Sequence, residues 1–188
     1  MVYFIPNILS NEECEFLSKR FDRIKDKRIH FASAMTLLGY QDGADFHDGL
    51  SYLDIVAFII QQGALVKADL EQLWRRVVFN ILVSNTDDHL RNHGFILTNN
   101  GWQLSPAYDM NPNEMGSGLT LNISENSNEQ DISLALETAK HYKLKKDEAI
   151  KILNDMQLEI AKWRTVAKKL GMGSSEIEQM KRAFRDLE

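Results

Sequence analysis

The part of the sequence that decides the fold reads Asn85-Thr-Asp-Asp-His-Leu-Arg-Asn-His93. It places two acids, two histidines, an arginine and two asparagines in nine consecutive positions. Such groups are costly to bury without partners, and folding does not require them at this density. We therefore interpret the segment as a functional loop rather than a polar connector between a helix and a strand.

The elements on either side of this loop have clear sequence patterns. Before it, apolar residues recur every three or four positions, which predicts an amphipathic helix: they are Leu70, Leu73, Trp74, Val77, Val78, Ile81 and Leu82. After it, two short apolar runs, 94–97 and 101–104, are joined by Thr98-Asn-Asn-Gly101. Asn-Gly between such runs predicts a β-hairpin, because both residues tolerate a positive φ.

Further helices are predicted on both sides of this centre. Ser51 and Asp54 form a capping-box pattern, and Gly63 marks the end of that helix after about three turns. A long helical stretch runs from 146 to 170 and is closed by Gly171.

The last helix is expected to begin near Ser174 or Ser175, with Glu178 completing its cap. The sequence contains no recognisable repeat, low-complexity tract or linker. The expected fold class is therefore mainly α, with helices around a small central β-hairpin, in a single domain over residues 1–188.

Two interpretations of the N-terminal residues remain open from their pattern alone. Ser10-Asn-Glu-Glu13 could cap a helix that runs through Phe21. Alternatively, the turn at Asn11 could join two strands, at 7–10 and 15–20, into a short hairpin.

The composition limits the classes of function. One cysteine among 188 residues excludes an internal disulfide framework. The N-terminus does not have the pattern of a signal peptide, and the longest apolar run, 55–60, is far shorter than the roughly 20 residues that cross a bilayer. A net charge of −5 with only short basic clusters argues against direct binding of nucleic acid. We expect a cytoplasmic protein that does not bind membranes.

The spacing of three polar residues indicates phosphoryl transfer. Asp87 and Asn92 lie five positions apart, and Asp109 follows the second strand of the predicted hairpin. Protein kinases use an aspartate of such a loop to receive the proton of the substrate hydroxyl, and an asparagine of the loop to bind Mg²⁺. A second aspartate beyond the strand pair binds Mg²⁺ that bridges the ATP phosphates. ATP and Mg²⁺ are thus the expected cofactors.

Two stretches together resemble the core signature of HipA-type serine/threonine kinases. That signature reads roughly N-x-D-x-H-x-(K/R)-N, then a hairpin, then P-x-Y-D, and it corresponds here to residues 79–95 and 102–109. The resemblance implies a helical kinase C-terminal lobe, preceded by a short N-terminal β-hairpin that leads to a hinge. Residues 1–23 would be remnant strands of the N-lobe and hinge, and residues 24–188 the helical lobe.

The resemblance also implies a role for each matching residue. Asp87 corresponds to the catalytic aspartate, and Asn92 and Asp109 correspond to the metal ligands. Backbone groups of Lys19 and Phe21, at the hinge, would bind the adenine edge of the nucleotide, and Arg91 would neutralise phosphate charge. His89 and Asn85 would support the loop.

In that family, the kinase transfers the ATP γ-phosphate to a serine or threonine of a protein substrate. It serves as the toxin of a toxin–antitoxin system and is restrained by a DNA-binding antitoxin. Only about twenty residues precede the expected hinge, fewer than a phosphate loop and a lysine strand require. The isolated chain is therefore expected to be inactive or nearly so.

Two alternative functions remain. The chain could be a noncatalytic kinase remnant that docks a separately encoded N-lobe or an antitoxin. It could also be a metal-dependent hydrolase, since dense acid and histidine clusters bind metals; its candidate ligands would be Asp87, Asp88, His89, His93 and Asp109.

Overall fold

A computed structural model describes residues 2–3, 17–18 and 20–185 of the chain. The helices are α1 to α7, in order Ala34–Leu38, Tyr52–Gln62, Val66–Leu82, Ile132–Thr138, Lys146–Ile160, Trp163–Lys169 and Ser174–Met180. Single 3₁₀ turns occur at Phe46–Asp48, Leu90–Asn92, Ala139–Tyr142 and Lys181–Ala183. The strands are β1 to β7, in order Val2–Tyr3, Leu17–Ser18, Arg23–Ile24, Lys27–Arg28, Phe31–Ser33, Gly94–Thr98 and Gly101–Leu104. The fold is mainly α with small antiparallel sheets, as expected.

Helix α3 forms the centre of the core. Each of its seven apolar positions predicted from the spacing is completely buried. Trp74 lies among them and donates a hydrogen bond from its indole nitrogen to the carbonyl of Ala135, at 3.0 Å. Helices α2, α4 and α5 pack around α3. The amphipathic pattern therefore predicted the helix on which the rest of the fold is assembled.

Helix α2 has the ends that its sequence predicts. The Ser51 hydroxyl accepts from the backbone N–H of Leu53, and the Asp54 carboxylate accepts from the backbone N–H of Ser51. The helix ends at Gly63. The Ser51 hydroxyl also reaches the carbonyls of Asn122 and Ser124, so the cap ties α2 to a distant segment.

The predicted hairpin is present and belongs to a three-stranded sheet in the order β5-β6-β7. Phe95 pairs with Leu104 at its open end, and Thr98 pairs with Gly101 beside the turn. The turn itself differs from the expected Asn-Gly centre: Asn99 and Asn100 occupy it without positive φ, whereas Gly101 has a φ of 124°. The Thr98 hydroxyl closes the turn by donating to the carbonyl of Gly101, at 2.7 Å.

The N-terminal prediction can be assessed only in part. β1 and β2 pair antiparallel, with Val2 opposite Ser18 and Tyr3 opposite Leu17. A strand at 17–18 agrees with the hairpin interpretation and not with a helix through Phe21. The predicted strand at 7–10, the turn at Asn11 and the nucleotide-binding candidate Lys19 lie outside the described residues.

Two predictions about the C-terminal helices were wrong. The stretch 146–170 is not continuous, because α5 ends at Ile160 and α6 begins at Trp163. This break lets the Trp163 ring stack on Phe184, with centroids 4.0 Å apart, a contact that local helix propensity cannot encode.

The cap of α7 also differs from the prediction. Helix α7 begins at Ser174, but Glu176 rather than Glu178 caps it, by accepting from the backbone N–H of Gly173 at 2.7 Å. Glu178 instead pairs with Lys181, at 3.5 Å.

An apolar cavity of about 390 Å³ opens on the surface between α3 and the C-terminal helices. Its wall includes Phe79, Val83, Ile160, Trp163, Ala167 and Phe184. In the part of the chain that the structure describes, no helix combines the length and the apolarity needed to span a bilayer.

Candidate catalytic site

The polar loop leaves the C-terminal end of α3 and is anchored to it. Ser84 turns the chain with a φ of 51°, and the backbone N–H of Asn85 then donates to the carbonyl of Asn80, at 2.9 Å. The Asn85 side chain donates to the side-chain oxygen of Asn80, at 3.0 Å. Asn85 thus fixes where the loop begins, a position that suits its predicted scaffold role.

The two neighbouring acids of the loop have opposite environments. Asp87 is exposed, and no described residue donates a hydrogen bond to its carboxylate. Asp88 is only 2% exposed. Its Oδ2 accepts from Tyr52 Oη at 2.7 Å and from Asn80 Nδ2 at 2.5 Å, and it lies 2.9 Å from His93 Nε2. Asp88 therefore fastens the loop to the core, while Asp87 faces solvent.

The electrostatics of Asp88 follow from these contacts. Burial alone raises the pKa of its carboxyl, but the charge and hydrogen bond of His93 and the hydroxyl of Tyr52 lower it by more than burial raises it, so the net pKa lies below the ordinary value. Burial and the Asp88 charge raise the pKa of Tyr52 well above the usual value. At neutral pH, Asp88 is an anion and Tyr52 is a hydrogen-bond donor.

Asn92 ends the loop with a buried side chain. It is 6% exposed, and its Nδ2 donates to the backbone carbonyl of Asp87, at 3.1 Å. No described residue donates to its Oδ1. The contact closes the six residues from Asp87 to Asn92 into one compact turn.

Asp109 follows the hairpin in an unusual backbone conformation. Its φ is 57°, a left-handed value that few residues with a side chain adopt. The residue is exposed, and Asn111 donates a hydrogen bond to its Oδ1, at 2.8 Å. Such conformations persist only where surrounding contacts hold them, and they cluster at functional sites.

The segment that carries Asp109 is held against the loop at two points. Tyr108 donates its hydroxyl hydrogen to the carbonyl of Arg91, at 2.5 Å. Asn113 donates to the hydroxyl of Thr86, at 2.9 Å. Tyr108, next to Asp109, thus contacts Arg91, next to Asn92. Asn113, four positions after Asp109, contacts Thr86, next to Asp87.

The other predicted site residues occupy varied positions. Arg91 is partly exposed and pairs with Asp42 across the surface. Phe21 is half-buried, and its ring lies 5.6 Å from that of Phe31 and 5.7 Å from that of Tyr108, measured between centroids. Phe21 therefore sits beside the segment of Asp109.

His89 is half-buried, and no described residue forms a hydrogen bond with its buried Nδ1. The hydrolase hypothesis requires His89 and His93 to converge on one ion. Among the residues that the structure describes, no three acid, histidine or cysteine side chains are grouped to hold a metal. The Nε2 of His93 contacts the carboxylate of Asp88 instead. The structure gives that hypothesis no support.

The sequence analysis missed a set of buried polar residues on α3 that contact the loop and the end of the hairpin. Arg76 donates to the carbonyl of Ser105, and the carboxylate of Asp69 accepts from the backbone N–H of Leu104, at 3.1 Å. Asp69, Arg76 and Asn80 are spaced by seven and four positions, so they share one face of the helix. This polar stripe has the same helical period as the apolar stripe, and that period could have revealed these residues in the sequence.

Comparisons with known proteins identify the family of the chain. Residues 6–164 match the protein family described as HipA-like C-terminal domain. A Haemophilus influenzae protein described as "Putative kinase" is 33% identical over 107 residues, which is 53% of this chain and 31% of that protein.

A solved structure also matches: a chain in the Shewanella oneidensis MR-1 toxin–antitoxin complex of HipA, HipB and operator DNA. Its TM-score is 0.68 at 18% identity, over 90% of this chain and 46% of that chain, and at this identity the likeness shows the fold. The present chain spans less than half the length of each relative. Because the family match covers most of its residues, the protein belongs to the HipA-like C-terminal domain family.

Proposed function

We propose that this chain is the catalytic lobe of a HipA-type kinase, which transfers the γ-phosphate of ATP to a serine or threonine hydroxyl of a protein substrate. The observation that carries the proposal is the double attachment of the Asp109 segment to the polar loop, through Tyr108 with Arg91 and through Asn113 with Thr86. It favours one shared cleft for the three predicted site residues.

The available oxygen atoms fit the expected magnesium nucleotide. Mg²⁺ takes oxygen ligands and is commonly held by one or two protein groups together with phosphates. The Nδ2 of Asn92 donates to the Asp87 carbonyl, and no described residue donates to its Oδ1. Asp109 offers an exposed carboxylate. Magnesium nucleotide, when bound, would supply the transferable phosphoryl group and neutralise the charge that develops on it.

Asp87 is the residue that we propose as the base. Its exposed carboxylate would accept the proton of the substrate hydroxyl as that oxygen attacks phosphorus. The bond from Asn92 Nδ2 to the backbone carbonyl of Asp87 would hold the backbone of the base close to the metal ligand.

The remaining roles are part of the same proposal. Arg91 would neutralise phosphate charge, and backbone groups of Lys19 and Phe21 would hold the adenine edge. His89 and Asn85 would support the loop. Residues 1–23 would form the N-lobe remnant and hinge and residues 24–188 the helical lobe, together one domain.

The relatives suggest the partners. The Shewanella structure is a toxin–antitoxin complex of HipA with HipB and operator DNA. We propose a protein substrate and an antitoxin, or a separately encoded N-lobe, as partners of this chain. Because protein kinases also align the triphosphate with a glycine-rich loop and a lysine, and this chain covers less than half of its relatives, the 188 residues alone are expected to bind Mg-ATP weakly.

An NMR titration of the labelled chain with Mg²⁺ and a nonhydrolysable ATP analogue tests the proposal. We expect Mg²⁺-dependent shifts at the amides of Asn92 and Asp109, which Asp109→Asn abolishes and Asp155→Asn, a surface control on α5, retains. Asp87→Asn should keep these shifts. The absence of any shift at millimolar nucleotide contradicts a kinase site, and low-micromolar affinity contradicts the expected weak binding.

A transfer assay separates the kinase from the noncatalytic module. Adding an N-terminal lobe should restore autophosphorylation or ATP hydrolysis in the wild-type chain and not in Asp87→Asn. Binding of that lobe without any restored transfer would favour the noncatalytic docking module.

A further inference from the structure

We propose that the buried residues Asp88 and Arg76 act together as a positioning pair for the site. The pair sets the placement of the loop that carries Asp87 and Asn92 relative to the segment that carries Asp109. The role of the pair in catalysis rests on the proposed function, but its effect on the placement of the two segments can be tested without nucleotide.

Asp88 holds the loop end of this arrangement. A single carboxylate oxygen is shared by Tyr52 of α2, Asn80 of α3 and His93, the residue before β6. Side chains from α2, from α3 and from the residue that precedes β6 thus meet at the residue next to the proposed base. A buried carboxylate with this many partners specifies one loop geometry, because any other geometry leaves a charge unsatisfied in the core.

Arg76 holds the other end. Its side chain is buried, and its Nη2 donates to the carbonyl of Ser105, where the chain leaves β7 toward Asp109. No described residue accepts from its Nε or Nη1. A buried guanidinium with two unused nitrogens is a costly way to hold one carbonyl, so its charge requires another explanation.

The explanation lies in the charges that face Arg76. Burial lowers its pKa, and the neighbouring Asp88, Tyr108 and Asp69 oppose this only in part, so the net pKa lies below the ordinary value. Asn80 of the same helix donates to Asp88, so the Asp88 anion on the loop lies near the Arg76 cation and offsets part of the cost of burying it. Arg76 and Asn80 stand one helical turn apart on α3, so the same rigid helix contacts both segments.

The test measures whether a substitution in one segment changes hydrogen exchange in the other segment. Hydrogen exchange is followed by NMR at hydrogen-bonded amides: His89 and Asn92 in the loop, and Ser105 in the hairpin exit. We expect Asp88→Asn to accelerate exchange at Ser105, and Arg76→Met to accelerate it at His89 and Asn92, each at least tenfold. The control is Ile152→Ala, a core variant in α5, compared at an equal interval below its melting temperature.

A double variant and two milder variants complete the design. Arg76→Met with Asp88→Asn removes both charges, so stability should recover while the loop and exit amides remain poorly protected. Arg76→Lys, which keeps the charge, should retain most of the protection. If a single variant does not fold, Arg76→Lys and Tyr52→Phe provide the same comparison.

The inference is overturned if each change affects only its own segment, or if protection returns together with stability in the double variant. The proposed function fails by a different result, namely the absence of Mg-nucleotide binding in the wild-type chain. That result would leave the exchange measurement interpretable, so the two ideas can fail separately.

Discussion

The hydroxyl of Tyr108 donates a hydrogen bond of 2.5 Å to the backbone carbonyl of Arg91. The two residues are neighbours of Asp109 and Asn92, the predicted metal ligands, so this bond joins the two segments at the site. Burial raises the pKa of Tyr108 to about 12, so the hydroxyl remains protonated and can donate throughout the neutral range.

Tyr108→Phe removes this bond and keeps the ring. The change leaves the Arg91 carbonyl without its partner, and we expect the free energy of unfolding to fall by about 1 kcal/mol. We also expect Mg-nucleotide affinity to fall more than this loss of stability explains. Urea denaturation and nucleotide titration measure the two effects, and unchanged values of both would show that the bond does not matter.

Tyr142→Phe is the matched comparison in the core. Tyr142 is 1% exposed, and no described residue forms a hydrogen bond with its hydroxyl. Removing an unsatisfied buried hydroxyl should leave stability unchanged or raise it by up to about 1 kcal/mol. A clear loss of stability in urea denaturation would indicate a partner, such as an ordered water, that the hydroxyl needs.

Gly116→Ala should displace the side chain of Thr86 in the polar loop. A Cβ at this position would overlap the side chain of Thr86, the residue before Asp87. We expect a loss of about 1–3 kcal/mol on thermal unfolding, as for other overpacked sites. Gly173→Ala is the control, because its Cβ would meet only the flexible carboxylate end of Glu176, at 3.1 Å. Equal melting temperatures for the two variants would contradict the prediction.

The acid dependence of stability should contain a contribution from Asp88. Its native pKa lies below the ordinary 3.8, so the folded chain binds fewer protons than the unfolded chain near that pH. The contribution is therefore present above about pH 4 and is lost as the pH falls through the native pKa. In Asp88→Asn, the unfolding free energy should fall less steeply below pH 4, by up to about 1.4 kcal/mol per pH unit. Parallel pH curves for the two proteins would refute this.

Ser51→Ala should lower the free energy of unfolding by more than the loss of an ordinary helix cap does. Loss of a capping hydroxyl costs about 0.5–2 kcal/mol, and here the same hydroxyl also reaches the carbonyls of Asn122 and Ser124. Asp131→Ala removes the cap of α4, whose carboxylate accepts from the N–H of Ser133, and serves as the reference. Chemical denaturation should rank Ser51→Ala as the more damaging change.

Much of the fold was predictable because its signals are local. The period of the apolar residues determined α3, the Ser51 and Asp54 pair with Gly63 determined both ends of α2, and the Thr98–Gly101 segment determined the hairpin. In each case the deciding contacts join residues a few positions apart. The polar loop was also identifiable from its composition, although the chemical roles of Asp87, Asn92 and Asp109 remain predictions.

Tertiary structure alone decided which acid of the loop is buried. Asp87 and Asp88 are identical neighbours, and Asp88 became the anchor because Tyr52, 36 positions earlier, and Asn80 meet it in the core. Trp163, which follows the break between α5 and α6, likewise stacks on Phe184, a residue far along the chain. Sequence periodicity describes one element at a time, whereas these outcomes depend on how separate elements pack against one another.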